Sequence, residues 1–243
     1  MASPESRHST GRAPNDFAAQ RARMVDEQIR ARGVRDPLVL ASIAKVPREV
    51  FVPDLTRAHA YDDSPLPIGS DQTISQPYIV AVMIAALTLK GGERVLDVGT
   101  GSGYAAAVLA GIASEVISIE RLAPLAERAR ATLASLGIRN VEVRQGDGSR
   151  GCPEHAPYDA IVVAAGGPQV PESLKAQLAV GGRLVMPVGT DQLAQKLLRV
   201  TRASETELSV ETLTDVRFVP LIGAEGWGAA DRNDAAPIRT RRT

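Results

Sequence analysis

The chain has 243 residues, 28 Lys and Arg against 28 Asp and Glu, and 44% hydrophobic side chains. A chain of this length buries roughly three-quarters of its unfolded surface, which suits one α/β core, and its balanced charge offers no field that recruits nucleic acid or an anionic membrane. No apolar run reaches the ~18 residues of a membrane span, the N-terminus lacks an apolar h-region, and the lone Cys152 has no internal disulfide partner, so a soluble protein of the reducing cytoplasm is expected.

Residues 1–16 are rich in Ser, Arg, Pro, Gly and Asn, and 228–243 look similar, which predicts a disordered tail at each end of a single domain over 17–227. Met24, Val25 and Ile29, with charges between, predict an amphipathic helix over 17–32, and Asp36-Pro37 opens a second carrying Val39, Leu40, Ile43 and Val46. These two form an N-terminal helical cap. Frequent Pro, Gly and Asp break any long element between Pro47 and Pro77, and a compact domain keeps so long a loop-rich segment only for a reason. From Glu93 onward, short β-branched runs alternate with Ala- and Leu-rich stretches. Strands are predicted at 94–98, 116–119, 141–144, 160–164 and 183–188, and helices at 104–112, 123–136 and 172–178. Such alternation implies right-handed βαβ units in an α/β fold with a doubly wound, mostly parallel sheet, and 196–201 with 207–215 read as a hairpin at its edge.

The sharpest motif is Val95-Leu96-Asp97-Val98-Gly99-Thr100-Gly101-Ser102-Gly103-Tyr104, a buried strand that ends in a glycine-rich turn and opens a helix. Gly99, Gly101 and Gly103 allow the backbone to turn tightly and approach a ligand, while the helix start offers N–H groups to a carboxylate or phosphate. Glu120 ends the next strand, where doubly wound folds place an acid that accepts both hydroxyls of an adenosine ribose. Nicotinamide dinucleotides and S-adenosyl-L-methionine share those two features. The spacing here is G-x-G-x-G rather than the G-x-G-x-x-G of a pyrophosphate turn, and Gly146-Asp147-Gly148 sets a third acid at a strand's carboxyl end, able to accept from an adenine amino group. Asp97, ending the first strand, can hold a methionine amino group, directly or through water. Three acids along one crevice suit an amino-acid-bearing nucleoside better than two phosphates, which selects S-adenosyl-L-methionine and its product S-adenosyl-L-homocysteine.

Tyr61, Pro65-Leu66-Pro67-Ile68-Gly69 and Gln72-Thr73-Ile74-Ser75-Gln76-Pro77-Tyr78 resemble the signature of the protein-L-isoaspartate (D-aspartate) O-methyltransferase family. The resemblance runs from Met24 to Trp227 through Val46-Pro47-Arg48, the glycine turn, Gly146-Asp147-Gly148, Gln177-Leu178 with Gly181-Gly182, Pro187-Val188-Gly189 and Arg217-Phe218-Val219-Pro220-Leu221. Two positions depart from it: Ala105 stands where the family often has Gln, and Ser149 where it often has Trp. The resemblance implies a Rossmann-like class I methyltransferase fold and a repair reaction. A methyl group passes from S-adenosyl-L-methionine to the free α-carboxylate of L-isoaspartyl residues in damaged proteins or peptides; the sequence leaves D-aspartyl substrates open. The ester then closes to a succinimide, which water opens to aspartate or isoaspartate without the enzyme. The resemblance further implies that Ser75 is the catalytic residue. Ser75, Gln76 and Pro77 would border the cofactor together with Asp97, Gly99, Gly101, Gly103, Glu120, Asp147 and Gly148, while Thr73, Ser75, Arg217 and Val219 would meet the peptide. The expected enzyme is a monomer that uses no metal, nucleic acid or membrane.

An α-carboxylate of pKa about 3.5 is ionised at neutral pH and needs no general base, which agrees with a chain whose only histidines, His8, His59 and His155, stand in no catalytic motif. Alignment must then supply the rate, and effective molarity is worth up to about 7–11 kcal/mol. The hydroxyls of Thr73 and Ser75 suit that orienting role; Phe218 reads equally as peptide site or core. A nicotinamide-dependent oxidoreductase would need a hydride-transfer set that the chain lacks. Relatives that install a succinimide in a ribosomally made peptide often carry a sizeable C-terminal extension, whereas only about fifteen polar residues follow Trp227.

Overall fold

The computed structural model describes residues 16–192 and 194–228, so the expected tails lie outside the described residues apart from Asp16 and Gly228. Asp16 caps α1 (Phe17–Arg23), its carboxylate accepting from the Ala19 N–H at 3.0 Å. The helix runs on into a π-helical stretch, Met24–Arg30, closed by the Ala31 N–H donating to the Asp26 carbonyl. The single helix expected over 17–32 is therefore an α segment followed by a wider turn, along which Met24, Val25 and Ile29 are all buried. α2 (Pro37–Lys45) starts as expected, with Asp36 accepting from the N–H groups of Leu38 and Val39 and Pro37 in the first turn, where no N–H is needed.

The loop-rich segment holds 3-10 turns at Arg48–Phe51 and Asp54–His59, then a hairpin of β1 (Leu66–Gly69) and β2 (Gln72–Ile74). The tip residues Ser70 and Asp71 both have positive φ, 53° and 56°, although no Asn-Gly or Asp-Gly pair announces such a turn. α3 (Pro77–Ala86) has no counterpart among the predicted elements. Its sequence, PYIVAVMIAA, is apolar all round and carries no amphipathic period, because the helix packs at once against α2, the π-helical stretch and the sheet.

β3 (Arg94–Val98), β4 (Glu115–Glu120), β5 (Val141–Gln145), β6 (Tyr158–Val163), β7 (Leu178–Asp191), β8 (Ala194–Arg202) and β9 (Leu208–Val216) form one sheet in the order β5-β4-β3-β6-β7-β8-β9. Strands β3 to β7 pair in parallel, and β8 and β9 add the antiparallel edge hairpin. Strand order reverses after β5, so right-handed crossovers change face: α4 (Tyr104–Ala110) and α5 (Ala123–Ser135) lie on one side and α6 (Glu172–Ala176) on the other. The N-terminal cap and α3 complete the first face, where Met24, Ile43 and Ile84 share a cluster with Val95, Val116, Val162 and Val185. Alternate residues Leu96, Ile117, Ile161 and Leu184 face the other side. The reversal falls between β3 and β6, and a crevice at the carboxyl ends of these strands is its consequence.

Candidate active site

The three acids stand at the carboxyl ends of adjacent strands: Asp97 in β3, Glu120 closing β4 and Asp147 just past β5, with the Gly146 N–H donating to the Glu120 carbonyl at 3.0 Å. Asp97 is fully buried. The Ser118 hydroxyl donates to its Oδ2 at 2.7 Å and the Thr100 hydroxyl lies 2.6 Å from Ser118, whereas Oδ1 has no hydrogen-bond partner among the described residues. Desolvation pushes the Asp97 carboxyl up to about 6 against the opposing Ser118 hydrogen bond, and the Glu120 charge adds to the rise. A buried carboxylate with an orphan oxygen is costly until a donor, best a cation, meets it.

Glu120 is 7% exposed, with Oε2 accepting from the Gly101 N–H at 2.8 Å and Oε1 from the Leu122 N–H at 2.9 Å. A carboxylate has about four acceptor sites, so each oxygen keeps one. Asp147 is more fully engaged: Oδ1 accepts from the Ser149 N–H at 3.0 Å and hydroxyl at 2.7 Å, and Oδ2 from the Ala224 N–H at 2.8 Å. One site remains. Desolvation raises the Asp147 carboxyl, but the hydrogen bonds from Ala224 and Ser149 and the Arg150 charge outweigh it and hold the group below its usual value. An orphan oxygen at Asp97, two free sites at Glu120 and one at Asp147 match an ammonium, a ribose diol and an adenine amino group in turn. The residues present therefore fit S-adenosyl-L-methionine.

Gly99, Gly101 and Gly103 have φ of 92°, 55° and 92°, so the glycine pattern reflects a backbone need. Three N–H groups at the turn and helix start are engaged within the protein: Gly101 donates to Glu120, Gly103 to the Thr100 carbonyl and Tyr104, at 3.4 Å, to the Ser102 hydroxyl. The turn shapes a wall more than it offers donors. Gly148 is needed for close approach, since a Cβ there would stand 2.5 Å from Val98 Cγ1. Ser149, where the family often has Trp, is fully buried and also accepts from the Glu225 N–H at 3.0 Å, so residues 223–225 close over Asp147.

The β1–β2 hairpin covers the glycine turn: Ile68 Cδ1 lies 3.4 Å from where a Cβ on Gly101 would be, and Arg128 of α5 donates to the Ile68 carbonyl. Thr73 pairs with Pro67 in this hairpin; Ser75 follows it, Gln76 is the N-cap of α3 and Pro77 its first residue. The Gln76 amide donates to the Asp63 carbonyl at 3.1 Å, and the Ser75 carbonyl accepts from Arg48 Nη2 at 2.7 Å. In the other segment the Val219 carbonyl accepts from the Gly166 N–H at 2.8 Å and Arg217 is exposed. Buried Gln195 grips Phe218 by both backbone groups, accepting from its N–H at 2.9 Å and donating to its carbonyl at 3.2 Å, while the Phe218 side chain packs half-buried against the core. His59 pairs with Asp62 on the surface and His155 lies 3.9 Å from Glu115, at the opposite end of β4 from Glu120.

The sequence gives no role to Ser118, Arg48 or Gln195, although Arg48 stands in the Val46-Pro47-Arg48 match. Ser118 had a signal, a hydroxyl inside an apolar strand run; its register opposite Asp97 explains it. Gln195 had none, and Arg48 had only its place in the family resemblance, because both act on backbone groups distant in sequence.

A family model described as Protein-L-isoaspartate(D-aspartate) O-methyltransferase (PCMT) matches residues 19–226. The chain is 67% identical over 230 residues to Protein-L-isoaspartate O-methyltransferase 1 of Rhodopseudomonas palustris (strain HaA2), covering 94% of each chain. It is 60% identical over 204 residues to Protein-L-isoaspartate O-methyltransferase 2 of Pelobacter propionicus, covering 84% of this chain and 91% of the relative. A solved protein-L-isoaspartate O-methyltransferase superposes with a TM-score of 0.77 at 31% identity, over 85% of this chain and 67% of that one. A second, the PCMT of Plasmodium falciparum in complex with S-adenosyl-L-homocysteine, gives 0.73 at 26% identity over 86% and 99%. Motifs, strand order and matched span agree, and the chain belongs to the protein-L-isoaspartate(D-aspartate) O-methyltransferase family.

Proposed function

We propose that the chain performs its family's reaction, transfer of a methyl group from S-adenosyl-L-methionine to the free α-carboxylate of an isoaspartyl residue, in the crevice at the carboxyl ends of β3, β4 and β5. The observation that carries this placement is the set of free acceptor sites on Asp97, Glu120 and Asp147. In this reading Asp97 holds the amino group, Glu120 the ribose hydroxyls and Asp147 the adenine amino group. Gly99, Gly101, Gly103 and Gly148 let the backbone close around the nucleoside, and Ser75, Gln76 and Pro77 border it from the hairpin side. The cofactor, when bound, supplies an electrophilic methyl group on a sulfonium.

The substrate carboxylate is already ionised, so no residue has to remove a proton. Thr73 and Ser75 instead donate hydroxyl hydrogens to it and aim one oxygen, while Arg217 and Val219 flank the peptide. Residues 17–227 act together as one domain, supported by a sheet that both clusters share from Met24 to Leu221. The monomeric, cytoplasmic state belongs to the same reading; no described helix is long and apolar enough to cross a membrane, and light scattering on the purified chain checks the monomer. The test of the orienting role is Ser75→Ala. Loss of a hydrogen bond to a charged group should lower kcat and kcat/KM for an isoaspartyl peptide together, by about tenfold or more, with a much smaller change in S-adenosyl-L-homocysteine affinity. An unchanged kcat in the folded variant rejects the role.

A further inference from the structure

We infer that Arg48 is a positioning residue of the reaction: its buried guanidinium ties the Ser75 carbonyl to the residue that opens the helix beyond the glycine turn, and so fixes the Ser75 hydroxyl relative to the cofactor wall. The inference rests on the reading of Ser75 as the residue that orients the carboxylate.

Arg48 is 0% exposed, yet among the described residues its guanidinium has no carboxylate partner; its neighbour Glu49 turns instead to Arg21 and Tyr61. Nε donates to the Ala60 carbonyl at 2.8 Å and Nη2 to the Ser75 carbonyl at 2.7 Å, while Nη1 has no partner. The guanidinium carbon lies 4.8 Å from the ring centroid of Tyr104, the first residue of α4. Tyr104 is itself buried and is held edge-on by Phe51 at 5.6 Å. Burial pulls Arg48 down to about 10, so it keeps its charge at neutral pH.

A buried cation with no carboxylate in direct contact, only the longer-range charge of Asp63, is a poor way to fill space, and a methionine of similar length would pack there without the desolvation cost. Arginine adds a rigid fork that donates in two directions at once. The two carbonyls it holds bracket the hairpin, Ala60 on the chain entering it and Ser75 on the chain leaving it. Ser75 belongs to neither β2 nor α3, and Arg48 supplies the hydrogen bond that no ladder gives it. Arg128 grips the same hairpin in the middle, at Ile68. One side chain thus touches both halves of the reaction site, the cofactor wall through Tyr104 and the orienting hydroxyl through the Ser75 backbone. A displacement of about an ångström between such halves can lower the rate about a hundredfold.

The experiment compares Arg48→Met and Arg48→Lys, each alone and combined with Ser75→Ala. Calorimetry with S-adenosyl-L-homocysteine counts folded sites and gives the affinity; methyl transfer to an isoaspartyl peptide gives kcat per folded site and KM. Arg48→Met should keep the affinity within about threefold and lose kcat by about 10- to 100-fold, with KM changing less. Arg48→Lys restores one donor and should recover part of the loss. In the Ser75→Ala background, Arg48→Met should cost less than about twofold more, because the group being positioned is gone. Wild-type kcat per folded site in Arg48→Met overturns the inference and leaves Arg48 a packing residue. Losses that multiply in the double variant reject the route through Ser75 while the orienting reading stands, and an unaffected Ser75→Ala rejects both. If Arg48→Met does not fold, Arg48→Lys with its own double variant decides by the same criteria.

Discussion

Glu120 and Asp97 use their neighbours in opposite ways. Glu120 braces the glycine turn through Gly101 and still has an acceptor site on each oxygen, so Glu120→Ala removes hydrogen bonds to a charged group and a support of the turn together. S-adenosyl-L-homocysteine binding should weaken by about 1.5–3 kcal/mol, read by calorimetry; an affinity within about twofold of wild type would remove Glu120 from the cofactor site. At Asp97 burial sets the pH response. Its carboxyl in the folded apoprotein, at about 6, lies above the ordinary 3.8, so the folded chain holds this proton more tightly than the unfolded chain. The stability this group contributes is full below about pH 4 and is lost as pH rises through about 6, an effect of roughly 3 kcal/mol. Cofactor affinity runs the other way. An ammonium needs the carboxylate form, so affinity should be full above about pH 6 and fall about tenfold per unit below it, with a proton released on binding. Titrations across this range in two buffers of different ionisation enthalpy check both points, and a flat affinity without proton release would move the amino group away from Asp97.

Between elements, a close fit that a single methyl tests lies where α2 meets α4. The Ser42 hydroxyl donates to the Val108 carbonyl at 2.6 Å, and a Cβ on Gly111 would overlap Ser42 Oγ. Gly111→Ala should therefore cost about 1–3 kcal/mol by forcing the two helices apart, and lower the melting temperature by about 2–4 °C for each kcal/mol. Affinity for S-adenosyl-L-homocysteine should stay unchanged in the folded fraction, and an unaltered melting temperature would show that the helices separate freely. The strands were legible because buried parallel strands read as β-branched runs, and their carboxyl-end acids were legible with them. β7 begins at Leu178, inside the helix expected over 172–178, because its pairing with Tyr158 is separated by a register shift from the main ladder at Arg183. α3 was illegible because apolar residues also fill its partly exposed face, Ile79, Val82, Ala85 and Ala86 beside the buried Val80, Ala81, Met83 and Ile84, which erases the period. Arg48 was illegible as anything beyond a family match, because arginines are mostly exposed and only the tertiary structure reveals which backbone carbonyls one has been folded around.

At the scale of the whole molecule, residues 73–78 and 217–219 lie far apart along the chain, and each segment is held by a buried side chain on its backbone, Arg48 on Ser75 and Gln195 on Phe218. Such holding suits a reaction whose rate depends on placement, and it makes selectivity the sharpest test of the proposed peptide site. An isoaspartyl residue carries its free α-carboxylate directly on the backbone carbon, whereas an aspartyl residue holds its carboxylate one methylene further out. If the two segments hold the peptide backbone as proposed, that methylene moves the nucleophile by about an ångström, and misplacement of this size can lower the rate about a hundredfold. The isoaspartyl form of a synthetic peptide should therefore be methylated at least about a hundredfold more efficiently than its aspartyl twin, with the two followed side by side through methanol released from the labelled ester. Equal rates would mean that the segments do not fix the backbone. A preference for the aspartyl peptide would favour the relatives that install a succinimide in an undamaged chain.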